Sequence, residues 1–443
     1  MSNSTIKRLL VILLCAIAVF VALTFVNDTV ILVAIAALIF IALIGGFYEF
    51  DYLHPATAYI VPWLMILIFS IVPISSYARP MNSVTYELLL ATMFAWLLSC
   101  VSAPAGESTV ADRPDGPPDA TFPIGAAPAA SLVLTSSVIF LFAFAAFNVA
   151  VAGYVPLLSL LSTGDSRYME FGIPSVYGAY LAYANALGCV AFYLYLRTGR
   201  RRYLALFGCI LLMHVVLITR QNLITLLVEA FAIRCMARAR VSKLLMVASL
   251  ALALGAFAFL GSLRSGDIKE IIGVQQQYTW IPSGMIWLYA YSYFNALNID
   301  NMIALSGAPF FDGFMWQSLL PTRFRPDNTH ETFVELASMG IASYIYPIYM
   351  DIGRGVIFFA GAMGFFTATA YRRAVEQRRF VDIATYSCLF FCALLSFFTD
   401  FWLYLPVIFQ LVFFRIFHIL LFKASAPSRH GNLDRLGRVP TSG

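Results

Sequence analysis

Charge is scarce in this sequence. Lysine, arginine, aspartate and glutamate make up 12% of the 443 residues, whereas soluble domains carry roughly 25%, so an ordinary water-soluble enzyme is excluded. Cysteine is sparse too. The 7 cysteines form no CxxC pair, which argues against a disulfide framework and a thiolate metal centre. Cys388 and Cys392 stand four apart on one helix face with no histidine nearby in sequence, so packing is their expected part. There is no glycine-rich nucleotide loop, no DxD-like metal motif between the spans, and no internal repeat of useful strength. The apolar runs lack the period-two alternation of a membrane β-barrel. The net charge of +5 falls in short basic clusters between those runs, a membrane-topology pattern that gives no reason to expect a nucleic-acid partner.

What the chain has in abundance is hydrocarbon, with 61% of its residues apolar. At about 20 residues per crossing, this predicts an all-α polytopic membrane protein. The expected spans, about twelve, lie near 8–26, 29–46, 57–75, 84–103, 131–152, 176–196, 203–219, 221–237, 244–262, 353–371, 381–399 and 402–422. Lys7 and Arg8 before the first run could imitate a secretory signal, but the run is long enough to span and ends without a convincing cleavage site. Placing both termini in the cytoplasm puts about nineteen of the 28 Lys and Arg inside and about eight outside, with Arg415 in a span, which satisfies the positive-inside rule. That count keeps all of 263–352 external, although 280–297 is apolar enough to dip into the bilayer.

The expected organisation is one transmembrane domain over 1–423 and a disordered cytoplasmic tail over 424–443. The Pro, Gly and Ala-rich segment 104–130 reads as a flexible cytoplasmic linker. The external loops 153–175 and 263–352 differ from it in carrying aromatic residues, isolated charges and helical patterns, as functional loops do.

Nearly all of the external positive charge is arginine: Arg79, Arg167, Arg220, Arg264, Arg323, Arg325 and Arg354, beside Lys269. A guanidinium stays charged and grips phosphate oxygens with paired donors, whereas lysine is a flexible point charge. Local pairing with Asp165, Glu170, Asp267 and Asp351, or snorkelling to lipid headgroups, is the alternative. A second constellation runs from Arg323 and Arg325 through Asn328, Thr329, His330, Glu331 and Glu335 at the start of an apolar helical stretch. His330 or Glu331 could accept a proton there; a capped surface helix without chemistry is the competing reading. Rings and amides crowd the third group, Tyr278, Trp280, Trp287, Tyr289, Tyr291, Tyr293, Asn295, Asn298 and Trp316, and suit sugar binding or a membrane-interface belt equally.

The order of short blocks over roughly 130–420 resembles the oligosaccharide repeat unit polymerases, the Wzy-type polymerases of O-antigen, enterobacterial common antigen and capsule. The blocks are Leu161 to Tyr168, Thr219-Arg220-Gln221-Asn222, Leu263-Arg264, Tyr291 to Asn295, Pro321 to Pro326 and Tyr349 to Gly355. His330 before an apolar helix ending at Gly340 also looks like the O-antigen ligase pattern, but Glu331 stands where that pattern usually has asparagine. The resemblance implies a bacterial inner-membrane glycosyltransferase with a large, partly helical periplasmic loop. It would join undecaprenyl-diphosphate-linked repeat units into a surface polysaccharide such as O-antigen, the part of lipopolysaccharide outside the core, with lipid diphosphate leaving. It implies no cofactor and no metal. A chain-length regulator and a flippase are the implied protein partners. On this reading His330, Glu331, Arg220 and Arg264 are catalytic. Arg167, Arg323, Arg325 and Arg354 hold diphosphate, and Tyr291, Tyr293, Asn295 and Trp316 bind sugar. An O-antigen ligase-like transferase, a lipid-linked oligosaccharide flippase or another transporter is the alternative.

Overall fold

The computed structural model of the protein describes residues 3–26, 28–103, 128–165, 167–237, 251, 255, 261, 266–321, 324–325, 333–336, 339 and 343–423. The helices in chain order are α1 (Asn3–Phe25), α2 (Thr29–Tyr48), α3 (Pro55–Ser70), α4 (Ser83–Ser102), α5 (Pro128–Ala152), α6 (Pro156–Thr163), α7 (Val176–Thr198), α8 (Arg201–Val216) and α9 (Arg220–Ala237). They continue with α10 (Ile268–Ile271), α11 (Ser283–Leu305), α12 (Ile345–Ile352), α13 (Val356–Gln377), α14 (Phe380–Leu394) and α15 (Leu405–Phe417). Seven stretches among the described residues are long and apolar enough to cross a membrane: Thr5–Phe25, Thr29–Tyr48, Ser83–Ser102, Ser131–Thr163, Val176–Thr198, Ile345–Gln377 and Leu405–Phe422. The protein is an all-α polytopic membrane protein. The expected span 244–262 falls mostly outside the described residues, as do 104–127 of the linker and the tail from 424.

Helix starts follow local chemistry where polar residues interrupt the hydrocarbon. Asp28 caps α2 by accepting from Val30 N at 2.8 Å, and His54 Nδ1 accepts from Ala56 N at 3.2 Å where Pro55 opens α3. The tightest helix pair joins α4 to α13. A side-chain carbon at Gly364 would sit 3.2 Å from the Trp96 carbonyl, so this close approach depends on glycine.

Unequal helix lengths shape the interior. With 23 residues, α7 can cross a bilayer, but α8 has 16 and α14 has 15; at 1.5 Å per residue these reach only about 24 and 22 Å, short of a hydrocarbon thickness of about 30 Å. We call the end at which α3 finishes and α4 begins the upper end. Asn185, nine residues into α7, bonds Asn222, the third residue of α9, at 3.1 Å, so the α8–α9 turn lies about 13 Å below the top of α7. The loop between α14 and α15 is sunk as well: Ser396 Oγ accepts from the indole of Trp63, midway along α3, at 2.9 Å. Tyr344 reaches still further down, sharing a 2.7 Å hydrogen bond with Tyr59. Among the described residues, the upper end therefore contains a recess whose floor is made by two interhelical connections.

Although 23 residues long, α11 is not among the helices apolar enough to span. It lies along the α3–α4 connection: Tyr289 OH donates to Val72 O at 3.3 Å, Tyr293 OH accepts from Arg79 N at 2.8 Å, and Asp300 accepts from Asn82 N at 2.7 Å. Its aromatic face closes a second, smaller core with Ile74, Ile268, Ile272 and Met339, separate from the core of the bundle. The Arg79 guanidinium bonds Asp300 at 2.8 Å and Asn301, which anchors α11 by its C-terminal half. The segment 280–297, apolar enough to dip into the bilayer, thus packs across the α3–α4 connection.

Candidate functional site

The α8–α9 turn is held in an unusual conformation. Ile218 adopts φ +54°, the left-handed region that is costly for a β-branched residue and persists only where the surroundings impose it. Here they do: His214, fully buried, pairs Nδ1 with Thr219 Oγ1 at 2.9 Å, and Thr219 N donates to His214 O at 2.9 Å. The consequence is that Arg220, Gln221 and Asn222 head α9 at the floor of the recess, where the positive end of the helix dipole favours an anion. Asn222 meets Asn185 of α7, and Gln221 stands beside the Tyr404 phenol at the start of α15.

The second floor element is the α14–α15 loop, Leu395 to Tyr404. Asp400 folds it: Oδ1 accepts from Trp402 N at 3.0 Å and from Leu403 N at 3.2 Å. Phe398 packs against Tyr291 of α11, ring centroids 4.9 Å apart, and Trp402 stands edge-on to Tyr344 at 5.2 Å. Above the loop lies a 3-10 helix, Phe314–Leu319, whose Ser318 hydroxyl donates to Leu403 O. Arg325 folds onto that helix, donating through Nε to Leu320 O at 2.9 Å. Burial raises the Tyr404 phenol, while Gln221 beside it and the nearby charge of Arg325 oppose the rise. Burial likewise pushes Asp400 up to about 6 against two backbone donors that favour its charged form. Its Oδ2 is buried without a hydrogen-bond partner, as is the indole nitrogen of Trp402.

No family model, curated protein or solved structure matches the chain.

Of the arginines expected to bind diphosphate or to act in catalysis, Arg325 approaches Tyr404 at the end of the α14–α15 loop, and Arg220 heads α9 next to Gln221, which stands beside the same Tyr404. Arg167 does not belong to this group. It stands exposed after α6, bonded to Glu170 at 2.8 Å and lying over the Tyr154 ring at 5.0 Å. Arg354 is also elsewhere, at a small groove of about 190 Å³ between α1, α4 and α13, where it faces Glu87 at 3.6 Å. The local pairing that competed with anion binding in the sequence thus holds for Arg167, and Arg354 finds a partner in Glu87 rather than in Asp351. Arg264, Arg323, His330 and Glu331 lie outside the described residues.

The four residues expected to bind sugar separate in the same way. Tyr291 reaches the recess through Phe398, and Trp316, half exposed, sits on the covering 3-10 helix. Tyr293 and Asn295 are buried. The Tyr293 hydroxyl serves the Arg79 backbone, and Asn295 Nδ2 donates to Tyr291 O at 2.5 Å. Both read as packing residues rather than sugar contacts. On a period-3.6 helix Tyr293 falls on a different face from Tyr291, whereas Asn295, four residues on, shares that face but turns its amide back onto the Tyr291 carbonyl.

Sequence reasoning missed Asp400, Tyr404 and Glu229. Asp400 had a signal: it is a lone acid in the aromatic run Phe397-Phe398-Thr399-Asp400-Phe401-Trp402 between two spans, and an ionisable residue in such a setting is a functional candidate by default. Glu229 carried the same signal within an expected span. It is fully buried, accepting from Gln410 Nε2 at 2.5 Å and from Cys189 Sγ at 3.1 Å, and so ties α9 to α15 and α7.

Proposed function

We propose that the protein is a membrane glycosyltransferase that polymerises undecaprenyl-diphosphate-linked oligosaccharide repeat units. The upper end faces the periplasm on this reading, in a bacterial inner membrane. The observation that carries it is the recess floor, where α9 begins with Arg220, Gln221 and Asn222, Asn222 bonds Asn185, and Gln221 and Arg325 both stand near Tyr404. A lipid-linked donor brings its diphosphate to the membrane surface, and the arginines supply fixed positive charge where the leaving group becomes more negative. Amides suit sugar hydroxyls because they donate and accept. Rings such as Tyr291 and Trp316 suit the apolar faces of pyranose rings.

A deletion strain tests the reading. Loss of the long polymer ladder with a single repeat still attached to its acceptor is the expected outcome. Loss of every attached repeat would instead indicate a ligase or a flippase. Transport is the second reading that a specific observation favours, because Glu229 is a fully buried carboxyl inside the bundle. It is distinguished by lipid-linked repeats accumulating on the cytoplasmic face of the deletion strain.

A further inference from the structure

We propose that Asp400 is the general base that deprotonates the acceptor sugar hydroxyl; this rests on the glycosyltransferase reading above. Its two oxygens divide the argument. Oδ1 folds the loop by accepting from Trp402 N and Leu403 N, a task that asparagine or serine performs as well. Oδ2 has no partner although the residue is more than nine-tenths buried, so the carboxylate supplies one acceptor more than the turn requires. Asp300, another buried acid, shows the structural alternative: Oδ2 takes Arg79, and Oδ1 takes both Asn82 N and Thr85 Oγ1. A surplus buried carboxylate oxygen costs stability, and such a cost on the loop that also carries Tyr404, with Gln221 and Arg325 beside it, points to a reacting group.

The surroundings suit the task. Tyr344, at the N-terminus of α12, faces Asp400, and it is bonded in turn to Tyr59 of α3. On its own loop is Tyr404, and Arg325 stands beyond Tyr404. Burial keeps its proton affinity near neutrality, as a base working at that pH requires. The covering helix is tied to the same loop through Ser318 and Leu403.

In the reaction the acceptor oxygen bonds to the anomeric carbon as the bond from that carbon to the diphosphate oxygen breaks. The lipid diphosphate leaves with the electron pair. The hydroxyl proton passes to Asp400 Oδ2, which becomes a neutral acid and then returns the proton to water.

The test is elongation of a purified lipid-linked repeat by wild-type protein, D400N and D400E in detergent, with rates measured from pH 5 to 8. Wild type should lose activity as pH falls through about 6. D400N should be slower by at least about a hundredfold while retaining the lipid-linked repeat in a pull-down, and D400E should recover part of the rate with a displaced acid limb. D400N working within about threefold of wild type, or a wild-type rate that is flat across this range, overturns the assignment of the base. A wild-type protein that elongates nothing, while the deletion strain still makes its ladder, overturns the glycosyltransferase reading itself.

Discussion

Replacing Asp400 by asparagine should stabilise the protein at neutral pH while removing its chemistry. The carboxyl is raised in the folded protein from an ordinary 3.8 to about 6. At 1.36 kcal/mol per unit, ionising it in place of an unfolded carboxyl costs about 3 kcal/mol. The sign follows from the direction of the shift: the folded state holds the proton more tightly, so the favourable contribution is complete below pH 3.8 and is lost as pH rises through about 6. Asparagine keeps the acceptor for Trp402 N and Leu403 N but has no proton to lose. The advantage of D400N over wild type should therefore be small near pH 4 and grow by about 3 kcal/mol toward pH 7. Thermal unfolding of both proteins in detergent at pH 4.5, 6 and 7.5 checks this. A difference in melting temperature that stays constant with pH would refute the reasoning, because it would mean that Asp400 does not titrate between its folded and unfolded values.

Other expected outcomes separate the site from its surroundings. Arg220→Ala should lower the elongation rate by about 10²–10³, the scale for removing one preorganised donor, and Arg220→Lys should recover little of it because the paired guanidinium donors are lost. Arg167→Ala, which removes an exposed side chain bonded to Glu170 and lying over the Tyr154 ring, should stay within about threefold of wild type in the same assay. Asp300→Ala leaves Arg79, Asn82 and Thr85 without their shared acceptor and should cost about 3–5 kcal/mol, read as lost folded protein in size-exclusion chromatography.

Several features of this protein were legible in its residues because they depend on local composition. Long apolar runs identify α1, α2, α4, α7 and α15 with small shifts at their ends, since a run of hydrocarbon dictates both helix and membrane. The arginine bias pointed toward Arg220 and Arg325. It could not separate them from Arg167 and Arg354, because the partners of those residues depend on where each chain segment comes to rest. Glu170 lies three residues from Arg167 and was visible as a local partner, whereas Glu87 is on another helix from Arg354. The aromatic cluster on α11 was found as a group, yet its division into packing and recess faces required knowing that the helix lies across the α3–α4 connection.

Asp400 shows the limit most clearly. A single acid between two spans is visible in the sequence, but its two oxygens become distinct only when the loop folds. Composition and run length by themselves determined that the chain is helical, spans a membrane and carries sparse positive charge between its spans, because each of those properties is a sum over neighbouring residues. Tertiary structure alone decided which charges share a site. Helices of unequal length sink two connections below the upper end and bring the head of α9, at Gln221, against the loop of Asp400, at Tyr404.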